Sequence, residues 1–255
     1  MTIFESVLLG IVEGITEFLP ISSTGHLLLA SRLLELPQTE YLKTFEIAIQ
    51  LGAILSVVVL YWRSFLDIEI VKRIGVALIP TLVIGFAFYG VVKNIFLESE
   101  SIVLWALLLG GIALIAFELF HTEREDSPGT IAGISYVQSA LIGVFQAIAI
   151  IPGVSRSAAT IVGGLLLGVK RTAIVEFSFL LAVPTMLAAT GYDVLKSASS
   201  FSGDQFLTLA VGFGTSFVVA LLAIKWLLHF VRNHSFISFG VYRIAIALLF
   251  LFFIL

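Results

Sequence analysis

The sequence predicts an all-α polytopic membrane protein with an inverted-topology repeat, each half a re-entrant helical hairpin plus about three transmembrane helices. The first observation is composition: 59% of the 255 residues are hydrophobic and 12% are charged, and the mean hydropathy is +1.12. This leaves too little polar surface to cover a water-soluble domain of this length. The second observation is that residues 74–92 and 206–224 carry no charge and are long enough to cross a bilayer as helices.

The third observation is an internal repeat. At a shift of 133 positions, residues 9–15 align with residues 142–148, and the match continues without a gap to residues 21–24 and 154–157. One residue out of that register, residues 45–55 resemble residues 177–187 in apolar pattern. We therefore interpret residues 1–255 as a single membrane domain, with repeat 1 at about 1–120 and repeat 2 at about 130–255.

Each repeat begins with an apolar run that breaks at a proline, Pro20 or Pro152, and then passes a hydroxyl-rich turn into a second short apolar stretch. A proline removes a backbone donor and disfavours helix at the residue before it. Unpaired backbone at membrane depth persists only where it lines a polar cavity or is packed inside protein. The two breaks are therefore predicted to be re-entrant hairpins.

Full spans follow each hairpin. Three are predicted after the first, near residues 45–62, 74–92 and 102–117, and three after the second, near residues 177–192, 206–224 and 236–255. Because three is odd, the second half begins on the opposite face of the membrane from the first, which is an inverted-topology repeat.

Basic residues orient this arrangement by the positive-inside rule. One face would carry Arg63, Lys72, Arg73, Arg124, Lys170, Arg171, Lys225 and Arg232, whereas the other would carry Arg32, Lys43, Lys93 and Lys196. The first face is predicted to be cytoplasmic, so that the first hairpin enters from outside and the second from the cytoplasm, with their tips meeting inside the bilayer. The acidic run at residues 123–126 is expected to be a solvated loop between the halves.

Composition also excludes some classes. The amino terminus carries Glu5 instead of a basic segment, and no small-residue cleavage pattern follows it, so we do not expect a removable signal peptide. The absence of cysteine excludes disulfides and thiolate metal sites. The net charge of −3 and the lack of a basic tract argue against nucleic acid as a partner.

Glu13, Glu17 and Arg156 are charged residues that lie in apolar runs. At about 3 kcal/mol for each central charge, their insertion would cost roughly 9 kcal/mol, comparable with the net stability of a domain. Glu13 and Glu17 are four residues apart and share a helix face. We interpret all three as facing one water-accessible cavity, where the arginine offsets the carboxylates. The alternative is a helix end at the membrane interface with two solvated glutamates.

The segment after Pro20 holds three hydroxyls, Gly25 and His26 within residues 22–26. Any one of these serines or threonines is an ordinary helix N-cap. Together with the two glutamates, however, the set supplies both a nucleophile and a base. In the second repeat, Arg156 lies in the equivalent turn at residues 153–157. Its guanidinium fork and the backbone amides at the start of the following helix favour an anion, so that phosphate is the expected ligand. The alternative is an arginine whose side chain extends to the membrane interface.

Residues 13–26 (EGITEFLPISSTGH) and residues 152–157 (PGVSRS) resemble the two signature motifs of the bacitracin-resistance type of undecaprenyl-diphosphate phosphatase. The likeness spans the chain and includes residues 45–46 and 50–52. It implies removal of the terminal phosphate of undecaprenyl diphosphate, which returns the lipid carrier to cell-wall (peptidoglycan) synthesis, on the outer face of the bacterial inner membrane. Ala158 stands where that family usually has glycine, which leaves the implied roles unchanged.

Residue roles follow from the motifs and the resemblance together. The catalytic candidates are Ser23 as nucleophile, His26 or one of the glutamates Glu13 and Glu17 as base, and Arg156 to neutralise the phosphate oxygens. The expected substrate-binding residues are Ser22, Thr24, Gly25, Gln50, Gly153, Ser155 and Ser157. Glu13 and Glu17 could instead hold a divalent cation, Mg²⁺ or Ca²⁺, or one of them could act as a proton donor without a metal.

The competing interpretation is an inverted-repeat lipid transporter or flippase, because broken helices in inverted repeats are also transporter architecture. A purely structural scaffold leaves the intramembrane charges unexplained. The expected partners are a polyprenyl diphosphate lipid and the membrane, with a homodimer as an open alternative.

Overall fold

The computed structural model describes residues 1–88, 90, 99–123, 127–197 and 203–254. Within those ranges it contains helices and no strand. The α-helices are α1 (Ile3–Thr16), α2 (Ser23–Leu33), α3 (Glu40–Leu60), α4 (Ile68–Ala87), α5 (Glu100–Phe120), α6 (Tyr136–Ala147), α7 (Arg156–Leu166), α8 (Arg171–Ser197), α9 (Gly203–Phe230) and α10 (Ile237–Ile254). Parts of some predictions fall outside the described residues: positions 124–126 of the acidic loop, positions 89, 91 and 92 of the second span, position 255 of the last span, and Lys93 among the basic residues.

Four helices are too short to cross a bilayer alone: α1, α2, α6 and α7, with 14, 11, 12 and 11 residues. At about 1.5 Å of rise per residue, the longest reaches about 21 Å against a hydrocarbon core of about 30 Å. Helix α1 ends at Thr16, and α6 ends at Ala147, several residues before Pro20 and Pro152 respectively. Each interruption of the α-helix therefore covers several residues and not only the proline. The predicted broken segments are therefore α1 with α2 and α6 with α7.

The predicted spans are present as helices. Five helical stretches are long and apolar enough to cross a membrane: Glu40–Leu60, Ile68–Ala87, Glu100–Phe120, Arg171–Ala189 and Gln205–Phe230. The sixth predicted span corresponds to α10, whose described apolar part, Ile237–Phe252, is shorter. The chain is thus an all-α polytopic membrane protein.

Helix pairings repeat between the two halves. Helix α1 packs along α9, and its counterpart α6 packs along α4, so the first helix of each half lies against the fourth helix of the other. Gly10 and Gly143, which align at the shift of 133, make both approaches close. A Cβ on Gly10 would lie 2.7 Å from the Gly212 carbonyl oxygen, and one on Gly143 would overlap the Ala77 carbonyl. The halves therefore interlock, while their opposite orientation in the membrane and the single-domain division stay predictions.

The core holds the two breaks together. Phe18, in the first break, is fully buried and packs edge-on against Phe179 of α8, with ring centroids 5.3 Å apart. The Ser157 hydroxyl, at the start of α7, donates a hydrogen bond of 2.7 Å to the Phe18 carbonyl oxygen. One break is thereby fastened directly to the other in the interior of the protein.

Candidate functional site

Both short helices after the breaks begin in the same unusual way. Ser22 caps α2 with φ of 73°, and Ser155 caps α7 with φ of 77°, a region that side chains other than glycine rarely adopt. Their hydroxyls accept from the amides of Gly25 and Ala158 at 3.3 and 3.2 Å. Only the backbone of Ala158 is used, which explains why alanine is accepted there.

Glu17 connects the two halves of the site. Its Oε1 accepts from Arg156 Nη2 at 3.0 Å, and its Oε2 accepts from the Ser23 hydroxyl at 2.6 Å. Arg156 Nη1 also donates to the Ser178 carbonyl oxygen of α8 at 2.9 Å. All three linked side chains are largely buried. The predicted meeting of the acidic and arginine segments is therefore present, through a continuous chain from hydroxyl to carboxylate to guanidinium.

A cavity of about 130 Å³ lies at this junction. Eight of the predicted site residues line it: Glu17, Ser22, Ser23, Thr24, Gln50, Gly153, Ser155 and Arg156. Its other walls are Pro152, which the sequence marked as the second break, and Ala149, Ile151 and Met186, which the sequence did not indicate. The cavity offers a hydroxyl already bonded to a carboxylate, a guanidinium and the start of α7, which is an arrangement suited to a phosphate group.

His26 is near the cavity but is engaged elsewhere. Its Nδ1 lies 2.8 Å from the Ser22 carbonyl oxygen, and its Nε2 lies 2.9 Å from the Tyr242 hydroxyl of α10. Since a carbonyl only accepts, Nδ1 carries the proton and Nε2 accepts from the tyrosine. Of the bases left open by the sequence, the carboxylate of Glu17 is the one bonded to Ser23 in this structure.

Glu13 lies one helical turn before Glu17 and is fully buried. Among the described residues no donor reaches either of its carboxylate oxygens, and it interacts electrostatically with Glu17, Glu46 and Arg156. Within the described ranges, no group of three or more acidic, histidine or cysteine side chains is placed to hold a metal ion. Two carboxylates completed by substrate oxygens would still suit Mg²⁺. The unpartnered oxygens of Glu13 fit such a cation.

Two predicted substrate contacts have a different place in the structure. Gly25 faces α5, where an added Cβ would lie 3.0 Å from Leu107, and Ser157 is occupied by the Phe18 carbonyl. Neither residue lines the cavity. Both act in packing the broken segments, because the turn places them on the protein-facing side of their short helices.

Sequence reasoning missed the contribution of α10. Arg243 is fully buried and Tyr242 is the partner of His26, yet neither was among the predicted site residues. The signal was available for Arg243, since an arginine inside an apolar run carries the same insertion cost that singled out Arg156. Ser178, which binds Arg156 through its main-chain carbonyl, left no signal in the sequence.

An apolar groove of about 520 Å³ lies beside the cavity, between α4, α6 and α8. It shares Ala149, Arg156 and Met186 with the cavity. Gly85 and Phe86 of α4 lie along it as well. A single ligand with a charged head and a hydrocarbon tail could occupy both spaces.

The fold and the site together define a class: an all-α polytopic membrane protein with a buried polar cavity between two broken helices, beside an apolar groove. Within that class, the family model described as bacitracin resistance protein BacA matches residues 6–249, and the chain belongs to this family.

Curated relatives are similar to this chain over nearly their full length. The chain is 54% identical to an undecaprenyl-diphosphatase of Sulfurihydrogenibium sp., with 98% of both chains covered. It is 52% identical to an undecaprenyl-diphosphatase of Persephonella marina over the whole of both chains. A third relative, an undecaprenyl-diphosphatase of Aquifex aeolicus, is 50% identical to this chain, with 98% of both chains covered. The family resemblance seen in the two motifs is therefore confirmed.

Proposed function

We propose that this chain is a membrane phosphatase that hydrolyses undecaprenyl diphosphate to undecaprenyl phosphate and phosphate, which recycles the cell-wall lipid carrier. The observation that carries the proposal is the chain of hydrogen bonds from Ser23 through Glu17 to Arg156. Phosphoryl transfer needs a positioned nucleophile and cationic groups around the transferred phosphate, and this junction has both. The names of the relatives supply the substrate.

In the proposed first step, Ser23 Oγ attacks the terminal phosphorus of the diphosphate, and its proton passes to Glu17 Oε2. The bond between that phosphorus and the bridging oxygen breaks, and the leaving lipid monophosphate takes the proton from Glu17, whose carboxylate is thereby restored. Protonation of Glu17 weakens its attraction to Arg156, so the guanidinium is released toward the phosphate oxygens. Deprotonation of Ser23 is thereby coupled to neutralisation of the attacked phosphate by Arg156.

In the second step, a water molecule attacks the phosphorus of the phosphoserine. Glu17 acts again as the base that deprotonates this water, and the Ser23 oxygen leaves and regains that proton from Glu17. Inorganic phosphate is released, and the starting hydrogen bonds reform. His26, held by Ser22 and Tyr242, supports the turn that presents Ser23.

A divalent cation belongs to the same proposal. Glu13 and Glu17 would hold it, because Glu13 has two unpartnered oxygens and the substrate would complete its coordination. When bound, Mg²⁺ or Ca²⁺ supplies charge neutralisation to the diphosphate.

The apolar groove supports a lipid as the substrate. Because the groove and the cavity share Arg156 as a lining residue, a lipid whose diphosphate reaches Ser23 would place its isoprenoid tail between α4 and α8. The proposed location is the bacterial inner membrane with the site open to the outer side, on the basis of the distribution of basic residues. A homodimer stays a prediction.

The test is phosphate release from undecaprenyl diphosphate by the purified protein in detergent, with and without divalent cations and a chelator. We expect release by the wild-type protein and none by Ser23→Ala or Arg156→Ala, both folded as judged by monodisperse elution. A transporter needs binding groups but no hydroxyl bonded to a carboxylate. Wild-type protein that binds the lipid and releases no phosphate would favour the transporter and overturn the proposal.

A further inference from the structure

In the described part of the chain, Arg243 of α10 is a fully buried cation without a counterion. Its side chain is 0% exposed, and in the part of the chain that the structure describes no carboxylate lies within ion-pair distance of it. It donates instead to five main-chain carbonyl oxygens: Pro20 at 3.3 Å, Ala106 at 3.0 Å, Leu107 at 3.3 Å, Gly153 at 3.0 Å and Val154 at 2.9 Å. All five of its N–H donors therefore have a backbone acceptor available.

These acceptors include both helix breaks. Pro20 and Gly153 occupy equivalent positions of the two repeats, since they align at the shift of 133. Their carbonyls lie where the helix is interrupted and no following helical turn donates to them. At membrane depth such groups need another donor, because water and lipid tails do not supply one there. Arg243 supplies it to both breaks with one side chain.

The reacting residues follow these carbonyls at equal spacing. Ser23 lies three residues after Pro20, and Arg156 lies three residues after Gly153. A guanidinium is planar and rigid, so its bonds fix the separation of the groups that it binds. We propose that Arg243 is a positioning residue, which holds the two broken segments at the separation where Ser23 and Arg156 both reach Glu17.

Two glycines of α5, Gly110 and Gly111, leave room for the Arg243 side chain. A Cβ on Gly110 of α5 would overlap the Arg243 guanidinium, and Gly111 lets α5 approach the Gly240 carbonyl oxygen, with a Cβ-to-oxygen distance of 2.8 Å. An apolar side chain at position 243 would pack α5 against α10 without burying a charge in the membrane interior. The arginine thus has a role beyond the contact between these helices.

The inference rests on the proposed phosphatase function, and kinetics test it first. Arg243→Gln and Arg243→Lys are compared with wild type for phosphate release, with protein amounts corrected for the folded fraction. Displacement of Ser23 relative to Arg156 should lower kcat by about 100-fold in Arg243→Gln. KM should change by less than about threefold, because Arg243 does not contact the substrate. Arg243→Lys should recover part of kcat, since it retains charged donors but not the fork.

A distance measurement tests the inference without activity. The chain has no cysteine, so spin labels on Leu33→Cys and Leu166→Cys, at the exposed ends of α2 and α7, report on the two broken segments alone. We expect a narrow distance distribution with Arg243 and a broader or displaced one with Arg243→Gln. If wild-type protein proves inactive, the phosphatase proposal fails, while the label distances still decide the role of Arg243.

Gly110→Ala displaces the guanidinium but keeps Arg243 in the chain. It tests the positioning role of Arg243 if the Arg243 variants do not fold. It should lower kcat and broaden the label distances, whereas Gly75→Ala, whose Cβ would enter open space, should change neither. Unchanged kcat and unchanged label distances in Arg243→Gln or Gly110→Ala would overturn the inference. A raised KM at unchanged kcat would also overturn it, because Arg243 would then act on substrate binding.

Discussion

Glu17→Gln is the sharpest perturbation of the proposed mechanism. The carboxylate accepts from Ser23 with one oxygen and from Arg156 with the other. Glutamine keeps one acceptor and replaces the other oxygen with an NH₂ donor. With its oxygen toward Arg156, glutamine can only donate to Ser23 Oγ, and with its oxygen toward Ser23, its NH₂ group faces the donors of Arg156. It cannot take the serine proton in either orientation.

The expected loss follows from these two bonds. Removal of a positioned general base typically lowers the rate by about 10²- to 10⁴-fold, or about 3–5 kcal/mol of transition-state stabilisation. The neighbouring Arg156 also loses its ionic partner at a site where its side chain is 10% exposed. We expect kcat of Glu17→Gln to fall at least 100-fold, with a smaller effect on substrate binding, because the freed guanidinium still faces the cavity.

Glu118→Gln is the matched control. Glu118 forms a comparable buried pair with Arg171, at 2.5 and 3.1 Å, but neither residue lines the cavity. This variant should lower the thermal unfolding temperature and leave kcat per folded molecule unchanged. The assay is phosphate release in detergent under saturating lipid, with unfolding followed in parallel. If Glu17→Gln kept more than a tenth of the wild-type kcat, Glu17 would not be the base.

Three further predictions concern the cation, the arginine fork and the lipid tail. Glu13→Gln should raise the divalent-cation concentration needed for half-maximal phosphate release about tenfold; an unchanged requirement would exclude Glu13 as a ligand. Arg156→Lys should lower kcat/KM at least about tenfold, because an ammonium does not reproduce the planar fork that reaches both Glu17 and the main chain; wild-type kinetics would contradict this. Gly85→Phe should raise KM for a long polyprenyl diphosphate more than for a short one, since it fills the groove, whereas Gly75→Phe on the same helix should affect neither; equal effects of the two variants would place the tail elsewhere.

Much of the fold could be predicted because membranes constrain helices so strongly. Apolar length indicated the spans, and prolines within apolar runs indicated the breaks. The packing of each half against the other was less evident from the sequence than the spans and the breaks. Gly10 and Gly143 matched in the alignment, but only the structure shows that each admits the backbone of a helix from the other half. Such close approaches depend on which helices pair, and apolar pattern alone does not encode the partner.

The site was predictable where charge or motif marked it. Glu17, Ser23 and Arg156 were identified, and the structure joins them. The choice of Glu17 over His26 as the partner of Ser23 required coordinates, because both lie within reach along the sequence. The walls of the cavity at Ala149 and Met186 carry no polar group, so nothing distinguished them from ordinary lipid-facing or core residues.

The repeat also explains why one chain can build this site. Equivalent positions of two repeats approach each other at the junction, so Ser23 and Arg156, which align at the shift of 133, face the same cavity from opposite halves. Glu13 aligns in the same way with Gln146, whose amide donates hydrogen bonds to Thr81 and Thr185, while no described residue donates one to the Glu13 carboxylate. Two identical halves would place serine against serine or arginine against arginine. Phosphoryl transfer needs a nucleophile opposite a cation, and a duplicated single chain can hold different residues at these equivalent positions.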